Sequence, residues 1–142
     1  MSERKYLPTF SDLIDRLSIT LMKSIFIPEN RAAYREEMGL IEYDLNAAFL
    51  DGPVRVFLNA KDIRAILVIM LSNRYIWENE AAVRRGGEDQ EKRLRLTHAI
   101  NGVRSTAKNI LSASMGERVD KKVDALAADL PPDLGNWKIF QD

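Results

Sequence analysis

Asn73, Trp77, Glu80 and Arg84 recur at spacings of four, three and four in the stretch SNRYIWENEAAVRR, Ser72 to Arg85. At about 100° per residue these side chains share one helix stripe roughly 60° wide. An arginine fork suits phosphate or carboxylate oxygens. A tryptophan face suits a nucleobase or another flat ring. An asparagine amide reads a base edge or a ribose hydroxyl. Two further polar lines have related spacing: Thr97, Asn101, Arg104 and Lys108, and Arg16, Thr20 and Lys23. If the three lines converge, they form a basic pocket from Arg16, Thr20, Lys23, Arg84, Arg104 and Lys108. Asn73 and Asn101 are its neutral hydrogen-bonding groups, Trp77 its ring platform and Glu80 its carboxylate. A phosphate-bearing, nucleotide-like small molecule satisfies such a set. The competing reading is structural. Glu80 and Arg84 form an ordinary i, i+4 pair worth about 0.2–0.5 kcal/mol, and polar lines beside a core can simply fix helix register.

These side chains need rigid elements to hold them, and the apolar pattern is helical throughout. Thr9 and Asp12 have capping-box spacing, and Leu13, Leu17, Leu21 and Ile25 follow as one core-facing stripe, stopped before Pro28. A second helix is predicted from about Glu29 to Leu50, closed by Asp51, Gly52 and Pro53. Val54 to Leu58 is a short apolar connection. Asn59 and Asp62 offer another cap for a third helix, Ala60 to Arg84, ended by Gly86 and Gly87. A fourth spans Asp89 to Ser114 on the stripe Leu96, Ile100, Val103, Ala107 and Leu111. Glu117 to Leu130 reads as a shorter helix, and the tail with Trp137, Ile139 and Phe140 as a docked segment. The expectation is therefore all-α: an antiparallel bundle of four long helices in a single domain spanning residues 1–142, with an arm at 1–8 and a tail at 131–142. The run AILVIML, Ala65 to Leu71, leaves the third helix almost no polar face. It is read as the central helix, surrounded in the domain or buried between subunits of a homo-oligomer.

Composition narrows the function classes. The 142 residues carry 21 basic and 21 acidic side chains, whereas a sequence-independent nucleic-acid binder carries a basic excess. Bulk nucleic acid is not an expected partner. The charge is uneven: residues 1–51 hold six basic and nine acidic groups, the remainder fifteen and twelve. No cysteine is present, which excludes disulfides, thiolate metal sites and a thiol nucleophile. With His98 the single histidine, a Cys–His dyad and a multi-histidine metal site are also excluded. The N-terminus has no apolar signal region, and the longest apolar run is far below the roughly 20 residues of a membrane span. No cofactor, metal or membrane partner is expected, and a cytoplasmic location is.

The first helix, LIDRLSITLMK (Leu13 to Lys23), resembles the "VDKLTILEIK" signature of a poorly characterised family of small all-helical proteins found in bacteria and phages. Asn73 to Arg84 is similar to that family's N-x-x-L-W-x-x-E-x-x-I-R element, and Asn101 to Leu111 to its N-x-x-R-x-x-x-K-x-x-I element. The three blocks occur in the family's order. Thr20 after Ile19 and Gly102 after Asn101 stand where the family pattern carries acids. If those acids serve catalysis in relatives, this chain lacks them. The resemblance implies an all-helical fold and links the chain to phages; in a phage protein, a basic-aromatic pocket of this kind suits sequestration of a nucleotide signal of host immunity inside a bacterial cell.

Three function classes follow. A ligand-binding protein needs only the pocket, with no catalytic residue. An all-α magnesium-dependent nucleotide hydrolase would use clustered carboxylates, for which Glu36, Glu37, Glu42 and Asp44 are the nearest approach, with Glu78 and Glu80 on the third helix. A non-catalytic scaffold or adaptor would use the polar lines only for register.

Overall fold

The computed structural model describes residues 7–51, 58–87 and 90–120. Four α-helices account for most of them, and no strand occurs among the described residues. They are α1 (Phe10–Phe26), α2 (Arg31–Asp51), α3 (Ala60–Arg84) and α4 (Gln90–Ser114), with a 3-10 turn at Pro28–Asn30 between α1 and α2.

The helix ends form where the side chains can satisfy backbone groups. Thr9 Oγ1 accepts from the Asp12 N–H at 3.2 Å, and Asp12 Oδ2 accepts from the Thr9 N–H at 3.0 Å. Asn59 and Asp62 make the same reciprocal pair at 2.9 and 3.0 Å. Each box satisfies two N–H groups that the helix itself leaves free. Gly86 and Gly87 turn the chain with φ of 78° and 141°, a region that glycine enters without steric penalty. α4 closes through Gly116: its N–H reaches Ala113 O at 3.1 Å, and the Glu117 N–H reaches Ser112 O at 2.9 Å. This is the paired bonding of a Schellman cap. It swings the Glu117 carboxylate onto the Phe10 N–H, at 2.9 and 3.1 Å, so the end of α4 caps the positive end of α1.

α1 packs against α2, α3 and α4, and α3 against α4 and α1. The core combines Phe10, Leu13, Ile41 and Leu45 with Ala65, Val68 and Ile69 of α3 and Val103, Ala107 and Leu111 of α4. Complete burial of a side chain such as Ile69 contributes about 2–3 kcal/mol. The Phe10 and Phe49 rings meet edge to face at 5.4 Å and join α2 to α1. At one end of the molecule Asp62 does double duty, capping α3 and accepting from Ser114 Oγ at 2.8 Å.

The centre differs from the sequence expectation. α1 packs substantially on all three other helices, whereas α3 does so on α4 and α1. Ile63, Leu67 and Leu71 on α3 stay 51%, 58% and 57% exposed. α3 spends its other side on α4 and its flank on α1, which leaves this line exposed among the described residues. Leu21 and Ile25 are exposed too, because the part of the α1 stripe facing both α2 and the core ends near Leu17. The helix expected from Glu117 does not begin there: residues 117–120 are non-helical. The remainder of that helix, the tail at 131–142, most of the 1–8 arm and Val54 to Phe57 lie outside the described residues.

Candidate functional site

Midway along the helices, where apolar side chains would ordinarily meet, three helices meet through polar groups. Asn73 of α3 is 3% exposed. Its Nδ2 donates to Asp15 Oδ1 at 2.7 Å and to Ser18 Oγ at 2.6 Å on α1. Its Oδ1 accepts from Arg104 Nη1 of α4 at 2.7 Å. Both ends of the amide are committed, so its orientation is set by its partners. Arg104 Nη2 donates to Asn101 Oδ1, also at 2.7 Å. On the other side of Asp15, Lys108 Nζ lies 3.6 Å from Asp15 Oδ2 and 2.9 Å from Asp12 Oδ1. A continuous chain therefore runs Asp12, Lys108, Asp15, Asn73, Arg104, Asn101. Burial raises the Asp12 carboxyl, but the hydrogen bond from Lys108, the Thr9 N–H and the Lys108 charge outweigh it and hold the group below its ordinary value.

The charges along this chain are not evenly matched. Two carboxylates surround Lys108, whereas Arg104 is held by two amide oxygens and by no carboxylate among the described residues. Amides orient a guanidinium without neutralising it. Arg104 thus keeps its charge while its side chain is fixed.

Arg104 faces an open cavity of ≈ 550 Å³ between α1, α3 and α4, a size typical of small-molecule sites. Lys23, Asn73, Trp77, Glu80, Arg84 and Asn101 line it as well, with Ile19, Met22 and Ile76 as apolar wall. Three cations and one carboxylate give the lining a formal excess of two positive charges. The Arg84–Glu80 pair is loose, at 4.0 Å with Arg84 81% exposed, and contributes little. Lys23 Nζ sits 6.0 Å from the Tyr34 ring centroid. Trp77 is half-buried. Its ring lies 6.0 Å from Phe26, and the Arg74 guanidinium covers Phe26 at 4.2 Å. The three form a stack that steadies the indole.

Seven of the ten residues expected to form a pocket therefore share one cavity. The other three have different surroundings. Lys108 borders an adjoining cavity of ≈ 340 Å³ with Asp12, Ser105 and Asn109 and is engaged by its two acids. Thr20 is buried toward α2, where its hydroxyl meets Glu37 Oε1 at 3.3 Å. Arg16 is exposed on α1, outside the 550 Å³ cavity. The line of α1 that meets α3 and α4 is instead Ser11, Asp15 and Ser18, rotated by roughly 100°. Ser11 Oγ is 2.7 Å from Ser112 Oγ. The spacing of four and three was present in the sequence, but three small or acidic residues do not announce a pocket as cations do. Asn79 is a similar case: it is buried, and its Nδ2 donates to Arg93 O and to Thr97 Oγ1 at 2.5 and 2.6 Å.

The carboxylates of α2, Glu36, Glu37, Glu42 and Asp44, are all exposed. Glu78 is paired with Arg74 at 2.7 Å. Among the described residues no group of three or more His, Asp or Glu side chains is placed to hold a metal ion. Nor, among them, is any helix long and apolar enough to cross a membrane.

Comparison with family models, with curated proteins and with solved structures found no match in any of the three.

Proposed function

We propose that this protein binds a phosphate-bearing, nucleotide-like small molecule in the cavity between α1, α3 and α4 and holds it without chemical change. The observation that carries the reading is Arg104, fixed by the Asn73 and Asn101 amide oxygens and lining the cavity with its charge unneutralised. Lys23 and Arg84 supply further positive charge at the same cavity. Phosphate oxygens accept from such groups in charge-assisted hydrogen bonds. Trp77 offers a ring edge or face to a base, and Glu80 an acceptor for a ribose hydroxyl or a base N–H. Rigid helices supply the pre-organisation that binding rewards. Sequestration of a nucleotide signal in a bacterial cytoplasm, a use that suits a phage protein, is the use we infer for such a site.

The order of the paired residues supports an up-down antiparallel bundle: Asn79–Arg93, Asn73–Arg104 and Asp62–Ser114 step in opposite directions along α3 and α4. We place self-association in the same reading. The exposed line Ile63, Leu67 and Leu71 repeats every four residues, and a second copy of the chain would remove it from water.

The test is a melting series with nucleoside mono-, di- and triphosphates, with and without magnesium, followed by recovery of the ligand. A binder at 100 times Kd gains about 2.7 kcal/mol, and the ligand returns intact without any need for magnesium. Altered product in the presence of magnesium would favour the hydrolase. No stabilisation by any phosphorylated compound would overturn both and leave the polar layer a purely structural device.

A further inference from the structure

Trp77 and Ala81 border a second cavity as well as the first. On the other side of these residues a space of ≈ 530 Å³ opens, lined by Arg74, Arg85 and Arg93 together with Phe26 and Glu78. None of its three arginines was singled out by the sequence pattern. Arg84 is the last residue of α3 and Arg85 its C-cap, still in right-handed helical backbone, so the two side chains leave about 100° apart, one lining each cavity. The second lining again holds three cations and one carboxylate. Glu78 is taken by Arg74 at 2.7 Å. Among the described residues Arg93 donates one long 3.4 Å side-chain hydrogen bond, to the neutral Asn79. Arg85 has no carboxylate within ion-pair distance among the described residues. Among the described residues the two cavities therefore present separate sets of cations, each in excess over the carboxylates beside them, with one tryptophan between them. A single phosphate can satisfy only one.

We propose that the two cavities are the halves of one site and that its ligand is a dinucleotide. One phosphate lies against Lys23, Arg84 and Arg104, the second against Arg85 and Arg93, and the nucleoside that joins them passes over Trp77. This rests on the reading of the first cavity as a phosphate site and deepens it to a ligand class. Arginine suits both ends because its fork takes two phosphate oxygens at once, and the indole between them is sequence-tolerant because every base has a π-face.

The experiment is calorimetric titration of the full chain with nucleoside 5′-monophosphates of the four bases and with the matching 5′-phosphorylated dinucleotides. It is run on the wild type, Arg84→Ala and Arg85→Ala, with melting curves to confirm that each variant folds. Both substitutions are at exposed positions by the Gly86–Gly87 turn. The expected result is that at least one dinucleotide binds about tenfold or more tighter than its monophosphate. Arg85→Ala should then reduce the dinucleotide to monophosphate affinity while leaving the monophosphate unchanged, and Arg84→Ala should weaken both. Equal affinity of the two ligand types, or an Arg85→Ala variant that leaves the dinucleotide unaffected or weakens both ligands alike, would overturn the bipartite site while the first cavity stood. Absence of binding by every compound would overturn both readings.

Discussion

Removal of the Asn73 amide is the most informative single perturbation, because that group joins α1, α3 and α4 at one point. It makes three hydrogen bonds, to Asp15, Ser18 and Arg104, at 2.6–2.7 Å. Two involve a charged partner and are worth about 1.5–3 kcal/mol each, and the third about 1 kcal/mol. The gross loss in Asn73→Ala is therefore about 4–7 kcal/mol. Asp15 keeps Lys108 at 3.6 Å, and Arg104 keeps Asn101 at 2.7 Å. Water admitted to the gap recovers part of the remainder. The net loss should be about 3 kcal/mol, a shift of about 1.5 M in the urea midpoint at an m of about 2 kcal/mol/M. Asn73→Leu is the sharper control, since leucine refills the volume but offers no hydrogen bond. It should be destabilised about as much as the alanine variant, whereas Asn46→Ala, on the exposed face of α2, should stay within about 0.5 kcal/mol of wild type. If Asn73→Leu matches wild type, or Asn73→Ala loses less than about 1 kcal/mol, the polar layer does not hold the helices together. In that case the Asn73 amide does not hold Arg104 in place either.

Other outcomes follow from the same network. Arg84→Ala should reduce the nucleotide-induced rise in Tm while leaving the apo stability within about 0.5 kcal/mol, because Arg84 is 81% exposed and its pair with Glu80 is loose. Lys108→Ala should do the reverse: the two carboxylates left behind cost about 1–2 kcal/mol, and the ligand response persists, as thermal melts with and without ligand would show. Ser72 is fully buried, and its hydroxyl has no hydrogen-bond partner among the described residues. Ser72→Ala should therefore raise stability by about 1 kcal/mol, or about 2–4 °C in Tm, and a fall in Tm would refute the account. Asp12 is held below its ordinary value in the folded state. Its contribution is thus present above the unfolded value of about 3.9 and is lost as pH falls from there toward the folded value. Denaturation of wild type and Asp12→Asn between pH 2 and 6 should show a shallower acid loss in the variant. Finally, sedimentation should give a mass above 16.2 kDa, reduced to that of a monomer by Leu67→Lys.

The positions of α1 to α4 were legible to within a residue or two because their signals are local. Thr9 with Asp12, Asn59 with Asp62, Pro28 and Gly86–Gly87 each satisfy or interrupt a nearby backbone group whatever else the chain does. The stripe from Asn73 to Arg84 was legible for the same reason: helical spacing alone puts four side chains on one side. The facing residues of α1 were not. A helix of 17 residues presents several polar lines, and Arg16–Thr20–Lys23 looks more like a ligand site than Ser11–Asp15–Ser18. Which line turns inward depends on the rotation of α1 against two other helices, and the buried volume of Phe10, Leu13 and Met22 sets that rotation. An exposed Arg16 can keep its charge in water, whereas Asp15 enters because Asn73 and Lys108 meet it there.

The chain by itself determined an all-helical structure, the ends of its helices, and a row of asparagine, tryptophan, glutamate and arginine on α3, since each follows from periodicity and capping over a few residues. Only the tertiary structure decided that α1 is the shared neighbour, that Lys108 serves two carboxylates instead of the cavity, and that Arg104 is held by amides. Those outcomes turn on pairings such as Asn73 with Arg104 and Asp12 with Lys108, 31 and 96 positions apart in the chain. Their pairing is fixed by packing and desolvation across helices, which no spacing within one helix encodes.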